Sequence, residues 1–190
     1  HYQTTPNESW DYDNVAQITV AELTLNGQKR RVVMQAPKNG FFYVLDAKTG
    51  ELLSADPYVA DVNWAKGVDL KTGRVVETDV ARRLRAGEKV ELEPRWTGGK
   101  NWFPMAFNPN SQRLYFSMLE ETAIYQLNKD LPVYKPGERY VGVTNTTKDR
   151  EPGTPWGYWG SVFPMTGKPA WRTPLVELPS WSGSIVTAGG

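Results

Sequence analysis

The sequence predicts an all-β fold built from antiparallel hairpins. Three observations carry this. Tight-turn signals punctuate the chain at short intervals, beginning with "NGQ" at Asn26 to Gln28. A strand–Thr-Gly–strand unit recurs as "DAKTGEL" (Asp46 to Leu52), "DLKTGRV" (Asp69 to Val75) and "PMTGKPAW" (Pro164 to Trp171). The 8 Trp, 9 Tyr and 6 Phe, set beside 17 Gly and 14 Pro, are the composition of strands joined by many turns.

The first strand spans Ala16 to Leu25, where Ile18, Val20 and the following apolar positions suit a half-buried strand. Asn-Gly then supplies the positive φ that a two-residue hairpin needs. The return strand is "RRVVMQA", Arg30 to Ala36. "PKNG" turns the chain into "FFYVLD", Phe41 to Asp46, whose near-continuous apolar run fits a strand covered on both faces. "AKTG" leads into "ELLSA" and completes a meander of three to four strands. "NPNSQRLYF" has the same turn-then-strand shape and puts a strand near 112–118. Repetition of such a unit points to a propeller or solenoid. Two stretches depart from it and read as long loops, near 80–99 and near 128–160. Val80 to Leu84 has the makings of a turn or two of helix. The Trp156, Tyr158 and Trp159 cluster implies that the second loop packs on something. No linker divides the chain, so residues 1–190 read as a single domain.

Charge and residue counts exclude several functions. The 22 Lys+Arg are balanced by 21 Asp+Glu, so no basic face for nucleic acid is implied. No apolar run of about 18 residues is present, so no membrane span is expected. Cysteine is absent, which removes disulfides, thiol nucleophiles and zinc–thiolate sites from these residues. The only histidine is His1, which leaves neither a Ser-His-Asp triad nor a histidine metal cluster. Chemistry must come from Asp, Glu, Lys, Arg, Tyr or a bound cofactor.

"SWDYDN" is the segment that asks for an explanation. Asp11 and Asp13 alternate with Trp10 and Tyr12. Three uses are open: capping a turn, holding a metal, or moving a proton. Alternate residues of an extended segment point the same way, about 6–7 Å apart. Two carboxylates so placed repel unless a cation lies between them.

"HYQTTPNESWDYD" followed by "RRVVMQAPKNGFFYVLDAKTGELL" resembles the pyrroloquinoline-quinone (PQQ)-dependent alcohol and methanol dehydrogenases, eight-bladed β-propeller quinoproteins. "GGKNWFPMAFNPNSQRLYF" resembles the next blade of that family. "MTGKPAWRTPLVELPSWSGSIVTAGG" resembles the one after, with the docking pattern in Thr166, Gly167, Lys168 and Trp171 and with Phe163 where the family has Asp. At roughly 40–50 residues per blade, the chain is expected to form about three to four blades of antiparallel four-stranded sheets. It then reads as an internal fragment completed by further blades of a parent chain.

The resemblance implies a periplasmic enzyme. It would pass a hydride from a primary alcohol to PQQ beside a bound Ca2+ or lanthanide(III) ion, with cytochrome c as electron acceptor. Asp11 falls on the family's catalytic base, next to the metal. Asp13 falls where lanthanide-dependent members carry a metal-ligating Asp and calcium-dependent members a small uncharged residue. Lys38 and Asn101 fall on quinone contacts, and Trp181 near the plane of the cofactor. Trp102 reads as a packing residue. Two other classes remain open: a non-catalytic propeller used as a binding scaffold, and an aromatic carbohydrate-binding module. Pairing of Asp11 with Lys38 argues against the scaffold, and the "WDYD" and "KNGF" blocks against the module.

Overall fold

A computed structural model of the chain describes residues 1–188. In chain order it contains β1 (Thr19–Leu25), β2 (Gln28–Gln35), β3 (Phe41–Asp46), β4 (Leu52–Pro57), β5 (Ala65–Asp69) and β6 (Arg74–Glu77). A short helix, α1 (Asp79–Arg85), follows, then β7 (Val90–Leu92), β8 (Ala106–Asn108), β9 (Arg113–Leu119) and β10 (Ala123–Leu127). The last three are β11 (Val143–Thr147), β12 (Gly157–Val162) and β13 (Pro169–Leu175). β1 to β4 form one antiparallel meander, opened by the Asn26-Gly27 turn with φ of 52° and 79°. A second four-stranded sheet runs β8-β9-β12-β13. Between β9 and β12 the chain leaves that sheet, builds the hairpin β10–β11 against β7, and returns. β5 and β6 pair alone.

Two expectations need correction. The stretches near 80–99 and 128–160 are not simply loops. The first holds α1 and β7, the second β11 and most of β12. Nor are all sheets four-stranded: among the described residues there are two of four strands, one of three and one of two.

Alternation along β3 sets the layering. Phe41 and Tyr43 enter one core with Trp10, Tyr12, Trp64, Leu84, Leu92 and Tyr125. Phe42 and Val44 enter another with Val32, Met34, Tyr58, Leu114, Phe116 and Met118. The meander is thus covered on both faces, as its apolar run requires.

The Thr-Gly turns share one geometry. In each, the glycine N–H donates to the carbonyl four residues back: Gly50 to Asp46 at 2.9 Å, Gly73 to Asp69 at 2.7 Å, Gly167 to Phe163 at 2.9 Å. Each of these glycines has φ between 62° and 77°, where a β-carbon is disfavoured. Asp46 Oδ1 also accepts from the N–H groups of Lys48 and Thr49. Asn108 does the same for Asn110 and Ser111, so the turn before β9 is a fourth copy with amide in place of carboxylate. Phe163 has no such oxygen, and the last turn keeps its backbone bonds together with one from the Lys168 N–H to Thr166 Oγ1.

Asp46 alone among these acceptors also binds Arg30, at 2.6 Å. That guanidinium, then the Thr49 N–H, hold its carboxyl well below the usual carboxylate range. A folded-state pKa below the unfolded value gives stability that is complete above the unfolded pKa, about 3.9. It is lost as pH falls through the folded one. Asp46→Ala is therefore expected to lower the thermal midpoint at pH 7 more than Asp69→Ala does. The gap between the two variants should narrow as the midpoint is followed into strong acid.

Candidate functional site

The turn between β2 and β3 carries Lys38 and is pinned from below. Buried Asn39 donates to Thr4 O, Thr5 Oγ1 and the Tyr43 hydroxyl, and accepts from the Phe41 N–H. The indole N–H of Trp64 closes on Asn39 O at 2.9 Å, and the Tyr58 hydroxyl on Pro37 O at 2.7 Å. Held this way, Lys38 has a side chain only 7% exposed. A lysine buried to that degree needs anionic or carbonyl partners.

Residues 8–13 supply them. Trp10 and Tyr12 are 1% and 2% exposed and meet edge to face at 5.9 Å. Each such ring removes about 150–250 Å² from water, so the aromatics rather than the aspartates fix the register. Glu8 folds the segment by accepting from the N–H groups of Trp10 and Tyr12 at 2.9 and 3.0 Å. With the aromatics inside, Asp11 and Asp13 face outward, and Asp11 adopts φ 73°. Lys38 Nζ then lies 3.0 Å from Asp11 O, 3.4 Å from Asp11 Oδ2 and 2.5 Å from Asp13 Oδ1. Partial burial raises the pKa of Asp11. The Lys38 ammonium opposes that shift, and the Asp13 carboxylate adds to it.

Three oxygens therefore converge on one cationic atom, the Lys38 ammonium. In kind these oxygens fit Ca2+ or a lanthanide. In number they supply part of a shell of six to eight. Among the described residues, no group of three or more His, Cys, Asp or Glu is placed to hold a metal.

A second segment lies on Lys38. The N–H of Gly99 donates to Lys38 O at 3.0 Å, and Leu119 N–H to Gly99 O at 2.7 Å. At Gly98, φ is 79° and an added β-carbon would sit 2.3 Å from Lys38 Cα. Three residues further on, Asn101 is buried, its amide donating to Thr97 O at 2.9 Å and accepting from Trp102 N–H at 2.9 Å. One amide hydrogen is left to donate elsewhere. Trp181 is 41% exposed and meets the buried Phe103 edge to face at 5.9 Å. The fold thus brings Asp11, Asp13 and Lys38 into contact. It sets Asn101 and Trp181 along the adjoining segment, with no hydrogen bond to those three among the described residues. Trp102, expected to pack, is instead 64% exposed.

Sequence reasoning passed over Glu8, Asn39, Gly98 and Lys100. The Gly-Gly pair in "RWTGGK" reads as an ordinary turn, and only the proximity of Lys38 reveals why a side chain is excluded there.

A propeller segment with a cation-centred acidic site is the class that this geometry defines. Residues 1–55 match the family model described as the β-propeller domain of glucose, ethanol and alcohol dehydrogenases. Over its whole length the chain is 38% identical to quinohemoprotein alcohol dehydrogenase ADH IIB of Pseudomonas putida, covering 27% of that protein. It is 42% identical to the dehydrogenase subunit of alcohol dehydrogenase (quinone) of Komagataeibacter europaeus, covering 26% of it. A europium-containing methanol dehydrogenase superposes over all of the chain with a TM-score of 0.86 and 33% identity, and 32% of that chain is covered. Along its whole length the chain is thus similar to quinoprotein alcohol and methanol dehydrogenases, and it spans about a third or less of the length of these relatives.

Gly98→Ala is expected to destabilise the protein by at least about 2 kcal/mol, since left-handed strain alone costs about 1–2 kcal/mol and the overlap with Lys38 adds to it. Gly27→Ala, with φ 79° and nothing within 4 Å, carries only the strain. Urea unfolding of the two variants measures the difference.

Proposed function

We propose that this chain forms one sector of a periplasmic PQQ-dependent alcohol dehydrogenase that oxidises a primary alcohol and passes electrons to cytochrome c. The observation that carries the reading is the convergence of Asp11 and Asp13 on the buried Lys38. The match to quinoprotein dehydrogenases over the whole chain supports it. When bound, PQQ accepts the hydride and a Ca2+ or lanthanide ion polarises its carbonyl. The work of this chain is to hold, orient and deprotonate.

Asp11 takes the alcohol's hydroxyl proton. Partial burial raises its pKa, which favours this role, and a bound cation would act in the opposite direction. Asp11 and Asp13 offer carboxylate oxygens to the metal. Lys38 keeps a positive charge at the site, where it favours an anionic reduced quinone. Asn101 has an amide hydrogen for a carbonyl, and Trp181 an exposed ring for a flat cofactor. The chain covers only part of the relatives' length, so the remaining wall of the site is assigned to further blades.

In the intact, quinone-loaded enzyme, Asp11→Ala should reduce turnover with either metal by about a hundredfold or more, the usual effect of a general base. Asp13→Ala should lower lanthanide-supported turnover by about tenfold or more, as losses at metal shells do, and calcium-supported turnover far less. Unchanged turnover in Asp11→Ala would overturn the reading. An unchanged lanthanide-supported rate in Asp13→Ala would return Asp13 to the role of a turn residue.

The 190-residue chain by itself is expected to show no alcohol-dependent dye reduction with PQQ and metal added, because a site needs its whole first shell held rigidly. Activity of the isolated chain would refute the shared-site reading.

A further inference from the structure

Lys100 is 0% exposed, yet no carboxylate pairs with it among the described residues. Its ammonium donates instead to two carbonyls, Asn101 O at 3.0 Å and Phe103 O at 2.5 Å. It also lies over the Phe103 ring, 5.0 Å from the centroid. Asn101 is one residue that the quinone reading places against the cofactor, and Trp181, the other, packs on Phe103. Ser184 N–H donates to Pro104 O at 3.0 Å and draws the 180–184 segment onto the same turn.

A buried cation without a counter-ion is costly to maintain. Carbonyl dipoles and an aromatic face offset only part of that cost. An apolar side chain would fill the space without it, so the charge calls for a use. We propose that Lys100 is a positioning residue for the quinone site: its buried ammonium fixes the Asn101–Phe103 turn and projects positive potential through it onto an anionic occupant of the wall formed by Asn101 and Trp181. This rests on the quinone reading and adds to it a second buried cation, distinct from Lys38 and with no carboxylate to neutralise it.

Burial alone pushes the Lys100 amine down to about 8. Among the described residues, no charged group opposes or assists it. The facing groups are the Asn101 and Phe103 carbonyls and the Phe103 ring, and the neighbouring 180–184 segment carries no ionisable side chain. The sign follows. The folded protein holds this charge below about pH 8 and loses it above, whereas the unfolded chain keeps it to about 10.4. An anion on the Asn101 wall should hold the proton more tightly and move the titration upward.

The first measurement reads the amine directly. Nitrogen-15 NMR of the lysine side chains in the 190-residue chain is expected to show one amine titrating near pH 8, absent from Lys100→Met. Ordinary titration of every lysine would overturn the proposal. The second follows the quinone/quinol potential of the quinone-loaded enzyme against pH. Wild type should show an extra bend near pH 8 that is missing in Lys100→Gln. At pH 7, Lys100→Gln should shift the oxidised-to-reduced ratio at fixed applied potential about tenfold toward the oxidised form, about 30 mV for a two-electron couple, and Lys100→Arg should largely restore it. A potential unmoved by Lys100→Gln, with quinone bound, overturns the role of Lys100 and leaves the enzyme reading standing. Failure of wild type to take up quinone overturns that reading and this proposal with it.

Discussion

Strand β3 has no solvent face, and the rest of the molecule is arranged around that constraint. Phe41 and Tyr43 point into one core, Phe42 and Val44 into the other. A strand so enclosed cannot slip by one residue without exchanging every side chain between the cores. Its leading turn is therefore fixed in space, and that turn carries Lys38. Asn39 and Gly40 reinforce the fixing from the same four residues: Asn39 bonds down to residues 4 and 5, and Gly40 adopts φ 91° with Val62 directly beneath. The segment at 97–101 can then be laid across Lys38 because Gly98 has no side chain. Position flows from the core to the turn, and from the turn to the charges.

That order explains which features were legible in the sequence. The meander was legible because period-2 burial and Asn-Gly turns are local signals. Asp11 and Asp13 were legible as a pair because Trp10 and Tyr12 fix which way they face within four residues. The β10–β11 hairpin was not. "VTNTT" alternates half-buried and exposed residues, so β11 carries little apolar signal. The strand it borders, β10, is assigned to β7 by tertiary pairing that no local pattern announces. Helix α1 buries only Ala81 and Leu84, too few for a period to emerge over seven residues. Trp102 misled for the opposite reason: large aromatics are usually covered, and this one stands exposed on the turn above Lys100. Lys100 itself was invisible because lysine in a Gly-Lys-Asn turn is ordinarily solvated, and here its ammonium turns inward onto the Asn101 and Phe103 carbonyls and the Phe103 ring.

The two buried lysines differ in a way that separates their roles. Lys38 is held by two carboxylates, both more than half-open to water or nearly so, at 65% and 49% side-chain exposure. Its charge is largely cancelled at short range. Lys100 is held by carbonyls alone, so its field is not cancelled and reaches further in a medium of low polarisability. Under the proposed function, Lys38 acts at contact distance and Lys100 acts through the turn it anchors.

The same charge reasoning bears on Asp13. Lys38 and Asp11 together are neutral, and adding Asp13 leaves the cluster with one net negative charge. A trivalent ion placed on the three groups would then carry the site to the net charge that a divalent ion would reach without Asp13. Under the proposed function, the second aspartate would therefore offset the additional charge of a lanthanide while leaving the Lys38 ammonium in place. With a divalent ion, Asp13 would reduce the positive charge available to polarise a quinone carbonyl. A carboxylate at this position is on these grounds better matched to a trivalent cation, and the 2.5 Å contact between Asp13 and Lys38 shows how closely the chain already brings that carboxylate to a positive centre.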